Sequence, residues 1–134
     1  MTEARIERVY VDRVSAGEFL EQAEGFLADA DAVGLRPPSR AVLLHNATVC
    51  ACDAILQAAG LRVTSGDRAH VLRLQTALDQ VDADTEDLLE SLDATRERRN
   101  EASYAAAFVP ESSVVEAREA AAELLALATV IVRG

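Results

Sequence analysis

The feature that most constrains the fold is a long segment, residues 39–59, that is apolar around almost its whole circumference when drawn as a helix. The segment stops at Gly60, a residue suited to the C-terminus of a helix. A helix that is apolar all round is normally covered on every side by other elements. We therefore predict that this segment is the central helix of the domain, with Leu44, Val49 and Ile55 buried.

The rest of the chain shows helical periodicity and no clear strand pattern. Half of the 134 residues are hydrophobic but only 4% are aromatic, so the core is expected to be aliphatic and rich in alanine. A chain of this length forms one domain with a sufficient core of its own. Helical segments are predicted near residues 15–34, 65–81, 85–103 and 113–132. The predicted fold is all-α, an antiparallel bundle of four to five helices.

The N-terminal residues differ from the rest of the chain. Residues 1–13 are polar and irregular, and we interpret them as an extended arm. The first helix is predicted to start at a capping box formed by Ser15 and Glu18. Residues 14–134 are then expected to form a single helical-bundle domain.

The charge of the chain limits its partners. A formal net charge of −10 is unfavourable for sequence-independent binding to a phosphate backbone. Binding to RNA would need a local basic site, which Arg96, Arg98 and Arg99 could supply. No apolar run approaches the roughly 20 residues that span a bilayer, and the first residues lack the apolar centre of a signal peptide. We expect a cytoplasmic protein that does not contact a membrane.

The two cysteines are Cys50 and Cys52. Positions i and i+2 of a helix point to different faces, so the two side chains cannot jointly ligate a metal. We interpret both as buried free thiols and predict neither a metal site nor a cofactor.

A narrow polar stripe interrupts the central helix. Ser39, Asn46, Cys50, Asp53 and Gln57 fall within about 60° of one another on the helical wheel. The stripe is either ordinary exposure of one edge or a polar seam that faces a cleft or a second copy of the chain. Asp53 is the member best suited to pair with an arginine.

The fourth helical segment carries an arginine on its apolar side. Leu88, Leu92, Arg99 and Ser103 share one stripe, and Arg96 lies at its edge. A charge on the core side of a helix must be paired or must line a cleft. The alternative is that the helix runs past the core, so that the Arg99 guanidinium extends into water.

Residues 99–104, Arg-Asn-Glu-Ala-Ser-Tyr, resemble the terminal-helix motif of the HEPN family, the higher eukaryotes and prokaryotes nucleotide-binding domains. That motif is an arginine, commonly a polar residue after it, and a histidine four to six residues beyond the arginine. The order of the helices is also similar, including the His45-Asn46 pair in the second and the Ala69-His70-Val71 run in the third. One position departs from the family, because Tyr104 stands where many members have histidine.

The resemblance implies a homodimer in which the motif helices of two protomers meet in one cleft. It implies metal-independent cleavage of RNA, with Arg99 stabilising the phosphate, Asn100 orienting that arginine and Tyr104 in the place of the base. Further binding residues expected at the cleft are Arg96, Asn46, Asp53 and Ser103.

A tyrosine is a poor general base at neutral pH because its reference pKa is about 10. The two histidines, His45 and His70, show no spacing that replaces the missing base, and we interpret them as structural or surface residues.

Three functions remain open. The first is a HEPN-like dimer that binds nucleotide, RNA or a partner protein, with cleavage weak or lost. The second is an active endoribonuclease of the toxin–antitoxin or phage-defence type, for which a minimal nucleotidyltransferase would be the antitoxin partner. The third is a structural helical module in which Arg99 closes a salt bridge.

Overall fold

A computed structural model describes residues 2–102 and 108–134, leaving aside the side chains of residues 98, 99, 101 and 102. The described part is mostly helical, with five helices and one small two-stranded sheet. The elements in chain order are β1 (Ile6–Arg8), α1 (Arg13–Ala30), α2 (Pro37–Ala59), β2 (Leu61–Val63), α3 (Ala69–Asp79), α4 (Glu86–Ala102) and α5 (Glu111–Arg133).

The apolar helix α2 contacts each of the other four helices, as its composition predicts. Leu44 and Ile55 are fully buried, whereas Val49 is only half-buried. The helix begins at a proline, which lacks the N–H that the first turn would leave unpaired. It ends at Gly60 in the left-handed conformation, with φ of 70°, as predicted.

The core between α1, α2 and α5 is built from leucines and alanines. Leu20 on α1 and Leu124 on α5 have no exposed surface, and alanines between them allow the helices to approach closely. Arg118 of α5 donates two hydrogen bonds to Asp31, the residue that caps the C-terminus of α1. The Arg118–Asp31 pair joins the chain's first and last helices, while α4 packs against both α2 and α5, and α3 packs against α2 and α4.

The all-α prediction holds for the helices, but the structure adds a small two-stranded sheet that the sequence analysis did not predict. β1 pairs antiparallel with β2, with Ile6 opposite Val63 and Arg8 opposite Leu61. Each strand has three residues, which is too short for an alternating pattern to be visible in the sequence. The backbone carries much of the pairing, because Val9 N donates to Gly60 O at 2.9 Å.

Several helix boundaries also differ from the predictions. The first helix begins at Arg13 because Asp12, not Ser15, is the N-cap, and its side chain accepts a hydrogen bond from Ser15 N at 2.9 Å. It ends at Ala30, before Gly34. The third helix is shorter than predicted, because the residues before it form a turn against the arm in which Gly66 has a φ of 150°.

Helix α2 is the one described helix that is long and apolar enough to cross a membrane by length and composition. The helix is not an unbroken apolar run, because it contains Arg40 and Asp53, and the expectation that the protein does not contact a membrane stays a prediction. Half of the most apolar stretch of α2 is buried against the rest of the protein, and the central helix of a packed domain meets the same criteria.

Candidate functional site

A cavity of about 80 Å³ lies between α2, α3 and α4. Half of its lining is uncharged and mostly buried, and consists of Thr48, Val49, Cys52, Leu74 and Leu92. The other half can carry charge, and consists of His45, His70, Arg73, Asp93 and Arg96. Three helices thus contribute two histidines, two arginines and one aspartate to the lining of a small, mostly apolar space.

Helical spacing explains how each element contributes to the lining. On α2 the contributing positions start at His45 and recur three, four and seven residues later, which is one face of a helix. On α3, His70 and Arg73 are three residues apart, and on α4, Asp93 and Arg96 are also three residues apart. Both histidines of the chain therefore line one cavity, although they lie in different helices.

Each cavity arginine contacts an aspartate. Arg96 donates a hydrogen bond from Nε to Asp93 Oδ1 at 3.2 Å on the same helix. Arg73 Nε lies 3.6 Å from Asp53 Oδ1, an ion pair that joins α3 to α2. All four side chains are partly exposed, so both pairs are accessible to solvent. A guanidinium has five N–H donors, so a contact through Nε leaves the other four N–H groups to donate to a further ligand.

Burial and nearby charges change the proton affinity of two groups here. The pKa of His70 is lowered, first by burial and then by the positive charge of Arg96, while Asp93 acts in the opposite direction. The imidazole of His70 is therefore mainly neutral at neutral pH. The pKa of Asp53 is raised by burial, and the attraction of Arg73 offsets only part of that effect.

The predicted binding residues are distributed over more than one surface. Arg96 lines the cavity, and Asp53 contacts the arginine that lines it next to His70. Asn46 is half-buried on α2 and is not part of the lining. The arginine that pairs with Asp53 is thus Arg73, which the sequence analysis did not consider.

The predicted motif begins near the end of α4, at Arg99. Asn100 is exposed there. Arg99 belongs to α4, but its side chain lies outside the described part of the structure. Ser103 and Tyr104 lie outside the described residues. The roles predicted for these residues remain predictions.

The polar stripe on α2 does not act as a single seam. Cys50 faces α1, where its Sγ lies 3.7 Å from Gln22 Oε1. Asp53 faces α3 instead. A helix as central as α2 has neighbours on several sides, so residues about 60° apart on its wheel meet different partners.

Both cysteines are free and buried, as predicted. Burial raises the pKa of Cys52 to about 12, so this thiol is not a nucleophile at neutral pH although it lines the cavity. Within residues 2–102 and 108–134, no group of three or more histidine, cysteine or acidic side chains could hold a metal ion.

A second groove, between α4 and α5, has the opposite electrostatic character. It has a volume of about 440 Å³ and five acidic side chains in its lining: Asp84, Asp87, Glu116, Glu119 and Glu123. Phosphate groups are repelled from such a surface. Helix α4 therefore has both arginines and carboxylates on its α3 side, but only carboxylates among the charged residues that line the groove on its α5 side.

Sequence reasoning missed His45, His70 and Arg73 as members of one site. The spacing of the α2 positions was a usable signal, because His45 and Cys52 are seven residues apart. The sequence gives no register between α2 and α3, so it could not show that His70 and Arg73 face them. No protein-family model, curated protein or solved structure matches the chain.

Proposed function

We propose that this protein is a HEPN-like helical domain that forms a homodimer and binds RNA or a nucleotide at the arginine-bearing part of α4. In this proposal the helices form an antiparallel bundle, and the motif helices of two protomers meet near Arg96, Arg99 and Asn100. Cleavage of RNA is weak or lost. The protein acts in the cytoplasm.

One observation carries the proposal: Arg96 of the motif helix lines a cavity together with Arg73 and both histidines. The chain as a whole is strongly acidic, so nucleic acid has little general attraction to it. A local group of guanidinium donors supplies the charge-assisted hydrogen bonds that phosphate oxygens accept. The same helix continues through Arg98 and Arg99, which extends the basic character beyond the cavity.

The proposed loss of cleavage rests on Tyr104. A general base that works near its own pKa contributes about 10²–10⁴-fold to a rate. A tyrosine with its reference pKa of about 10 is ionised to only about 0.1% at neutral pH. A phenol hydroxyl at this position can still donate a hydrogen bond to a phosphate.

The test measures binding of single-stranded RNA by fluorescence anisotropy, and oligomeric state by sedimentation. Arg96→Ala and Arg99→Ala are expected to weaken binding by about tenfold each, since a hydrogen bond to a charged group is lost. Arg118→Ala is the matched control, because Arg118 also pairs with an aspartate but lies on α5 away from the cavity. Equal binding by all of these variants, or a protein that stays monomeric, would contradict the proposal.

The third function, a structural module, predicts a different pattern. If Arg99 only closes a buried ion pair, its removal strands a carboxylate and costs about 3–5 kcal/mol of stability. A large loss of stability in Arg99→Ala, with no RNA binding by the unmodified protein, would favour that function.

An active ribonuclease is the second candidate, favoured by the two histidines that line the cavity with Arg96. In such a reaction one imidazole accepts the proton of the ribose 2′-hydroxyl, and the 2′-oxygen attacks phosphorus. The bond from phosphorus to the 5′-oxygen breaks, and the second imidazole, in its protonated form, donates to the leaving oxygen. A minimal nucleotidyltransferase would be the antitoxin partner of a toxin of this type.

The two candidates differ in what abolishes cleavage. RNA degradation by the purified protein that is lost in His70→Asn and His45→Asn, but kept in Tyr104→Phe, would establish the ribonuclease and its base. Absence of degradation, with RNA binding intact, supports the binding function. Degradation restored only in Tyr104→His would place the reaction at the motif and not at the cavity.

A further inference from the structure

We infer that the cavity between α2, α3 and α4 binds one singly charged oxyanion, of the phosphodiester type, between Arg73 of α3 and Arg96 of α4. This inference rests on the proposed function for the source of the anion, the backbone of a nucleic acid. Two residues of this site, Arg73 and His70, lie outside the motif. The site accepts a group with one negative charge.

The volume of the cavity limits what enters it. About 80 Å³ is well below the roughly 150 Å³ of an engineered cavity that holds benzene. A nucleobase is larger than benzene, so the cavity cannot enclose one. A tetrahedral oxyanion, with five heavy atoms, is comparable to the handful of water-sized atoms that such a space holds.

The charges around the cavity favour a single negative charge on the ligand. Of the charged side chains that line the cavity, Arg73 and Arg96 are positive and Asp93 is negative, which leaves a surplus of one positive charge. Asp53 pairs with Arg73 from outside the lining. His70 is mainly neutral at neutral pH and donates a hydrogen bond without adding a charge.

The residues around the cavity disfavour a ligand that carries two negative charges. Glu86 and Glu90 line the adjoining groove together with Arg68 and Asp93. A terminal phosphate with two charges would meet these carboxylates and would need a protonated His70 to balance it. A phosphodiester carries one charge at every pH of interest, so it matches the site as it stands.

The anion would also join two helices. Arg73 belongs to α3 and Arg96 to α4, and both side chains are partly exposed at the same cavity. An oxyanion accepts hydrogen bonds on several oxygens at once, so it can accept from both guanidinium groups. Binding should therefore raise the pKa of His70, because a negative charge close to an imidazole favours its protonated form.

The experiment follows the histidine C–H signals by NMR during titration of the full chain with dimethyl phosphate. The chain has two histidines, so His45→Asn and His70→Asn assign both signals. A parallel titration uses methyl phosphate above its second pKa of about 6, where it carries two charges. We expect saturable shifts and a raised His70 pKa with dimethyl phosphate, and weaker binding of methyl phosphate.

The Arg73→Gln variant is expected to weaken dimethyl phosphate binding by about tenfold or more, since it removes a charge-assisted donor. If Arg73→Gln does not fold, Arg73→Lys, which keeps the positive charge, replaces it in the binding measurement. Arg118→Gln, on α5, is the control and should bind as the unmodified protein does. No saturable shift, equal binding in Arg73→Gln, or tighter binding of methyl phosphate would overturn the inference.

The two proposals fail in different ways. RNA binding without any response to dimethyl phosphate, and without loss in Arg73→Gln, leaves the proposed function standing and overturns the cavity site. A saturable response to dimethyl phosphate with no binding of RNA supports the cavity site and contradicts the proposed source of its anion.

Discussion

The two sides of α2 are packed in different ways. Towards α1 and α5, the helix meets leucines and alanines with no exposed surface, among them Leu20 and Leu124. Towards α3 and α4, it meets a cavity, two histidines and two arginines that pair with aspartates. The α3–α4 side also contributes buried leucines to the same core, but it borders the cavity and its charged residues as well. We call the α1–α5 side the filled half and the α3–α4 side the cavity half.

The buried polar side chains among the described residues are three threonines. Thr48, Thr76 and Thr95 lie on α2, α3 and α4. Each hydroxyl donates to a carbonyl four residues earlier on its own helix, as in Thr95 Oγ1 to Ser91 O at 3.1 Å. The threonine hydroxyls are thus satisfied within their own helices.

Truncation in the filled half should have the largest effect. Leu124→Ala removes a side chain with no exposed surface and is expected to cost about 2–5 kcal/mol, because the remaining void lacks contacts. Leu74→Ala, beside the existing cavity, should cost less than Leu124→Ala, since the space it leaves joins an opening that is already there. Urea denaturation measures both. Equal costs would mean that the two halves are packed alike.

A substitution that enlarges a side chain in the filled half should have the second-largest effect on stability. Ala54 on α2 is fully buried in the core with Leu20 and Leu124. Ala54→Val forces extra methyl groups into closely packed helices and is expected to cost about 1–3 kcal/mol. A variant as stable as the parent in thermal and urea unfolding would show that this side has unused space.

A substitution that enlarges a side chain lining the cavity should stabilise the protein, unlike one in the filled half. Val49 lines the cavity, so Val49→Leu adds one carbon to space that is already present and should stabilise by up to about 0.8 kcal/mol. The same change should weaken binding of dimethyl phosphate by reducing the volume. Destabilisation of Val49→Leu by more than 1 kcal/mol, on the order of an overpacked core, would contradict the cavity.

Neutralising the acid that pairs with Arg73 should change stability little. Burial raises the pKa of Asp53, so the folded protein holds the charged carboxylate less well than the unfolded chain does. At neutral pH, where the carboxylate is charged, Asp53→Asn should therefore leave the free energy of unfolding unchanged or raise it by less than about 1 kcal/mol. A loss of several kcal/mol in a thermal melt would show that the ion pair is a main support of α3.

The smallest expected effect is a pH dependence through His70. Its folded pKa lies below its unfolded value, so the unfolded chain binds more protons near pH 6 and stability rises with pH up to about 6.5. The contribution is lost as the pH falls through the folded pKa, because between the two pKa values folding has to release a proton from the imidazole. His70→Asn should flatten the urea midpoint between about pH 5 and 7. If the urea midpoint of His70→Asn depends on pH as strongly as that of the unmodified protein, His70 is not the group responsible.

The helical fold could be predicted because α2 and the periodic segments carry their signal within one helix. Leu44 and Ile55 are buried as their apolar surroundings indicate. The arm could not be predicted in the same way. Its pairing depends on the backbone of residues 60–67, far away in sequence, and a three-residue strand has no pattern of its own.

The candidate site was predicted only in part for a similar reason. Arg96 was placed near a binding surface by the motif and lines the cavity. His45 and His70 were interpreted as structural or surface residues, and His70 is indeed exposed. Their meeting at one cavity depends on the register between α2 and α3, which no single helix encodes. The motif has Tyr104 in the place of a histidine, whereas the chain's two histidines line the cavity.

The contact between the arm and two glycines has a consequence for the order in which the protein can be completed. A Cβ atom on Gly60 would lie 2.9 Å from Val9 O, and one on Gly66 would lie 2.5 Å from Thr2 O. Residues 2–12 are synthesised before residues 60–67, so the arm has no partner until that later segment has been made. Docking of the arm therefore follows formation of the end of α2 and of the turn after it.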